Sequence, residues 1–87
     1  MANSKSAAKR ARQTIKRTAR NKAVKSKLRT DVKRFETAIV NEDKELAQSA
    51  LHRAIITIDK AVTKGVLHKN KAARTKSRLT KRLNELA

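Results

Sequence analysis

From Met1 to Lys64 the chain contains neither glycine nor proline, and Gly65 is the only residue of either kind among all 87. Strand-rich folds need turn residues roughly every 8–12 positions, and this chain cannot supply them. An all-α architecture follows. Eighty-seven residues make a single domain, 1–87. A domain that short buries a modest share of its surface, so its intrinsic stability is small. Cysteine is absent, so no disulfide or thiolate site can reinforce it.

Apolar periodicity divides the chain into three helical segments. The first runs from Ser4–Ser6 to Val40, and Val24, Leu28, Val32, Phe35 and Ile39 fall within an arc of about 80° on it. Upstream of Val24 the same arc carries Arg10, Thr14, Arg17 and Asn21, so the core stripe ends there. Asn41-Glu42-Asp43 reads as a connection, with Asn41 the candidate for a left-handed helix end and Asp43 the cap of the next helix. The second segment, Lys44 to Lys64, has a stripe about 140° wide, from Ala47 to Val62. A stripe of that width predicts contact with two neighbours. Ile56 lies off it. Gly65 follows as a C′ residue. The third segment, Leu67 to Leu86, places Ala72, Leu79, Leu83 and Leu86 in one seam, with Asn70 a candidate N-cap. At ~1.5 Å per residue the first helix overhangs the other two by roughly 22 Å. The expected fold is a three-helix bundle (24–87) with the N-terminal helix protruding as a basic arm (1–23).

Charge follows the same division. Lys and Arg number 24 against 7 Asp and Glu, a formal net charge of +17. Residues 1–34 net +12, residues 35–63 net −2, and residues 64–87 net +7. Lys5, Lys9, Arg12, Lys16, Arg20, Lys27 and Arg34 share one arc of the first helix, and Lys22, Lys25, Arg29 and Lys33 form a second stripe. A solvated face balanced by Glu would need no partner. A face with almost no acid does, because same-sign neighbours at i,i+4 oppose helix formation. The expected partner is a polyanion whose phosphates bind clustered cations and release counterions. Phe35, the one aromatic residue, belongs to the core seam, which excludes base-stacking single-strand modules. Recognition should act through phosphates, sugars and shape. Folded RNA suits a chain charged at both ends; architectural DNA binding is the alternative by the same physics.

Other chemistries find little support. His52 and His68 lie on different segments and no Cys is available, so no metal or cofactor is expected. Glu36, Glu42, Asp43 and Glu45 cluster at the first interhelical turn, where capping and dipole complementarity account for them. No Gly-rich phosphate loop or nucleophile motif occurs, and no enzyme activity is expected. No apolar run approaches the ~18 residues of a membrane span, and the first residues lead into charge rather than an apolar core. The acid-poor start resembles a transit peptide, but the same basic character returns at the other end, and a cytoplasmic location is expected. A membrane-active helix would need bulky apolar residues opposite its charge, where residues 5–22 have mainly Ala and one Ile.

The run Lys64-Gly65-Val66-Leu67-His68-Lys69-Asn70-Lys71-Ala72-Ala73-Arg74-Thr75-Lys76-Ser77-Arg78-Leu79 resembles the signature of the bacterial small-subunit ribosomal proteins numbered twenty. Lys5-Ser6-Ala7-Ala8-Lys9-Arg10 and Arg20-Asn21-Lys22-Ala23 are similar to other parts of the same family. Departures are slight: Leu67 replaces Ile, and Thr18 and Thr75 replace basic residues. The resemblance implies a structural constituent of the ribosome that binds small-subunit (16S) ribosomal RNA directly and stabilises its folding during assembly. It implies a monomer there, with other small-subunit proteins only as neighbours. It also implies RNA contacts from Lys5, Lys9, Arg10, Arg12, Lys16, Arg17, Arg20, Asn21 and Lys22 on the first helix. From the third it implies contacts by His68, Lys69, Asn70, Lys71, Arg74, Lys76, Ser77 and Arg78. For His68 and Asn70, a first-turn or capping role stands beside RNA contact.

Overall fold

A computed structural model describes the backbone of residues 2–86 and the side chains of residues 5–86; Met1 and Ala87, the ends of the expected domain, lie outside it. Three helices, α1 (Ala2–Val40), α2 (Lys44–Thr63) and α3 (Lys69–Glu85), form a bundle, with no strand among the described residues. The long first helix draws the molecule out to 66 × 21 × 14 Å. Helix α2 is the middle element: it packs against both α1 and α3, while α1 and α3 barely meet. The wide apolar stripe of α2 has this cause.

The helix ends are set by local hydrogen bonds. At the end of α1, Asp43 N–H donates to the Ala38 carbonyl (3.0 Å) and Glu42 N–H to Ile39 (3.1 Å). This is the Schellman pattern, and it requires a left-handed residue at C′. That residue is Glu42 (φ 56°), not Asn41 as the sequence suggested. The helical ladder continues one residue further than expected, through Asn41 N–H to the Thr37 carbonyl (3.0 Å), and this moves the reversal onto Glu42. Asp43 then caps α2 by accepting from Leu46 N–H at 3.1 Å. The end of α2 repeats the motif with Gly65 (φ 74°) at C′: Gly65 N–H reaches Val62 (3.0 Å) and Val66 N–H reaches Ala61 (2.9 Å). Helix α3 begins at Lys69, between the expected start at Leu67 and the later start that an Asn70 cap would set, because His68 is its N-cap. His68 Nδ1 accepts from Asn70 N–H at 3.1 Å, which leaves Asn70 in the first turn.

The core joins Phe35 and Ala38 of α1, six apolar residues of α2, and Ala72 and Leu79 of α3. Phe35, Ile58 and Leu79 are its largest fully buried side chains, each worth roughly 1.5–3 kcal/mol of transfer free energy. Four of the α2 residues are alanines, which let the flanking helices approach closely. Leu28, Val32 and Ile39, expected in the seam of α1, are only half-buried, whereas Asp31 and Ala38 are buried. The reason is tertiary: with α3 nearly out of reach, α1 is covered from one side, and the flanks of its stripe stay open. Asp31 is accommodated by the Thr57 hydroxyl, which donates to its Oδ2 at 2.5 Å across the α1–α2 contact.

Candidate nucleic-acid interface

Every side chain from Lys5 to Arg20 is exposed. A helix with no core stripe buries nothing there, and no acidic residue precedes Asp31. Lys5, Lys9, Arg10, Arg12, Lys16 and Arg17 therefore project from a rod free of bundle contacts, and Lys22 is exposed just beyond it. Arg20 is different. Its guanidinium donates to the Lys64 carbonyl at 3.3 Å, tying α1 to the end of α2. Asn21 is half-buried, and its Oδ1 is enclosed without a hydrogen-bond partner among the described residues.

On α3, Lys69, Asn70, Lys71, Arg74, Ser77 and Arg78 are exposed. His68 is exposed too, with Nδ1 engaged in the cap. Lys76 is half-buried, and its ammonium pairs with Asp59 Oδ1 at 2.8 Å. Arg82 meets Glu36 Oε1 at 3.5 Å. Both pairs are partly exposed and contribute modestly to stability. Each joins residues on different helices, so no spacing rule could have revealed it.

The fold brings the two cationic segments together at one place. Lys25 and Arg29 of α1 and Lys71 of α3 line a single hollow whose apolar wall includes Val24, Leu28 and Val66. The second basic stripe of α1 held Lys25 and Arg29; their approach to α3 was not visible in it, because it depends on how α2 turns into α3. The arrangement offers cations along two helices and around the hollow they share, which suits closely spaced phosphates. Among the described residues no group of His, Asp or Glu is placed to hold a metal ion, and no helix is long and apolar enough to cross a membrane.

Fold and charge define a small, strongly basic helical protein. The sequence model of the family described as ribosomal protein S20 matches residues 2–84. The small ribosomal subunit protein bS20 of Desulforamulus reducens is 56% identical over 87 residues, covering 100% of this chain and 99% of its own. That of Natranaerobius thermophilus is 58% identical over the same shares, and that of Shouchella clausii 56%. The chain belongs to the ribosomal protein S20 family. Its role is thus that of a structural protein of the small ribosomal subunit, not an enzyme.

Proposed function

We propose that this protein binds small-subunit ribosomal RNA directly, through phosphate and shape contacts, and stabilises its folding during subunit assembly in the cytoplasm. The observation that carries the reading is the hollow where Lys25, Arg29 and Lys71 converge from two helices. One continuous polyanion would meet one row of cations; cations brought to one hollow from two helices fit backbones brought close by RNA folding. Residues 1–23 act as the arm and 24–87 as the bundle. On the arm, Lys5, Lys9, Arg10, Arg12, Lys16, Arg17 and Lys22 supply phosphate contacts. Lys69, Asn70, Lys71, Arg74, Ser77 and Arg78 supply them on α3. Arg20, His68 and Lys76 serve the same surfaces while also engaging the protein itself, and Asn21 serves them from a half-buried position. The protein acts as a monomer, with other small-subunit proteins as neighbours.

The test is a titration of a small-subunit ribosomal RNA transcript at several salt concentrations. If roughly 6–10 phosphates are neutralised, log K falls against log salt with a slope of several units, and Lys16→Ala reduces that slope by about one contact. An affinity for duplex DNA exceeding that for the transcript at equal salt would overturn the reading in favour of architectural DNA binding.

A further inference from the structure

Away from α3, Lys33 and Arg34 of α1 face Leu46, Ser49, Ala50 and Arg53 of α2 across an open groove of about 620 Å³. Ligand sites span roughly 300–1,000 Å³, so the groove has room for a nucleotide. An adjoining hollow shares Arg34 and Arg53 and is edged by Lys27 and Ile56. No α3 residue lines either hollow. Ile56, which the apolar stripe of α2 left unexplained, thus lies beside the same two guanidinium groups.

The walls are apolar and the rim is cationic. Leu46 is 53% exposed. Thr30 and Thr37 also line the groove, but each hydroxyl donates to the carbonyl four residues back, at 3.0 Å. Among the described residues no carboxylate pairs with Lys33, Arg34 or Arg53. A second copy of a chain carrying +17 would be repelled from this rim. An unpaired nucleotide satisfies both features: its base has apolar faces that stack on guanidinium planes, and its phosphate takes a lysine. Asp31 lines the smaller hollow, so a phosphate is disfavoured there and directed towards Lys33.

We propose that the α1–α2 groove holds one unpaired nucleotide of ribosomal RNA, its base against Leu46 and Ala50 between the guanidinium groups of Arg34 and Arg53, its phosphate on Lys33. The inference rests on direct RNA binding and adds a base contact to a protein whose one aromatic side chain is buried.

Two measurements test it. In the first, a benzophenone amino acid replaces Ser49, or as a control Lys16, in full-length protein assembled into small subunits. The probe at position 49 should crosslink to an unpaired nucleotide. Capture of a protein, capture of paired RNA only, or no capture, while the control crosslinks to RNA, would overturn the groove proposal alone. Failure of both probes to reach RNA would overturn direct RNA binding and the groove with it. In the second, Arg53→Gln should weaken binding to the ribosomal RNA transcript about tenfold, with helicity unchanged. Arg53→Lys should remain nearly as weak, because an ammonium keeps the charge but loses the stacking plane. Full recovery with lysine would refute the stacked base.

Discussion

Replacing Thr57 by valine removes one hydroxyl from the α1–α2 contact and alters little else. Thr57 is 5% exposed and Asp31 6% exposed, and the hydroxyl of the first donates to the carboxylate of the second at 2.5 Å. It is the one side-chain donor that this carboxylate has among the described residues. Losing a hydrogen bond to a charged group costs roughly 1.5–3 kcal/mol, towards the upper end where the acceptor left behind is buried. Valine keeps the shape, so no cavity enters the sum. Thr57→Val should therefore lose about 2–3 kcal/mol. In a domain of this size ~1 kcal/mol moves Tm by about 4–8 °C, which puts the expected fall at about 10–20 °C. Urea titrations followed by circular dichroism at constant salt measure it; guanidinium chloride would screen the charges at the same time. Thr57→Ser should recover most of the loss. In a double-mutant cycle with Asp31→Ala the two changes should be strongly non-additive. If Thr57→Val stays within about 0.5 kcal/mol of the parent, the buried pair carries no stability, and the account of how α1 tolerates an acid in its core face is wrong.

Leu79→Ala and Arg78→Ala, adjacent in sequence, should fail differently: the first loses about 2–5 kcal/mol through transfer and cavity terms, whereas the second keeps its urea midpoint and weakens RNA binding about tenfold. The two left-handed helix ends should respond with opposite signs. Gly65→Ala introduces strain of about 1 kcal/mol at φ 74°, and Glu42→Gly relieves a similar strain, both readable as shifts in thermal midpoint. Backbone amides of residues 5–19 should exchange freely in the isolated protein and become protected when RNA is added, since no side chain there is buried; strong protection without RNA would contradict the arm.

Much of this architecture was legible in the residues because it depends on local rules. Helix α2 was marked by Asp43 before it, Gly65 after it and a wide apolar stripe between; the two end signals act within a few residues of themselves, and the stripe repeats with the helical period. The absence of a stripe before Val24 showed where α1 would stop being covered. The junction residues were harder. Asn41 and Glu42 are neighbours, and either could have ended α1; one further hydrogen bond in the ladder, from Asn41 N–H to the Thr37 carbonyl, decided for Glu42. At the start of α3 a capping or first-turn role was open to both His68 and Asn70, and the hydrogen bond from Asn70 N–H to His68 Nδ1 decides for His68 as the cap.

The helical class, the number of helices and the two cationic segments were written in the residues alone, because periodicity, caps and net charge are properties of consecutive residues. Which side chains meet across helices came from the packing of the three helices. Asp31 sits on α1 next to a row of cations, and nothing near it in the chain says that it turns inward to Thr57, 26 residues away. Lys76 and Arg82 belong to basic segments yet are paired with Asp59 and Glu36. Lys33, Arg34 and Arg53 form a rim only because α2 lies along α1 at one rotation. Those facts follow from the relative placement of rigid helices. That placement is set by the summed fit of Phe35, Ile58, Leu79 and the α2 alanines in one core, not by any local segment of the chain.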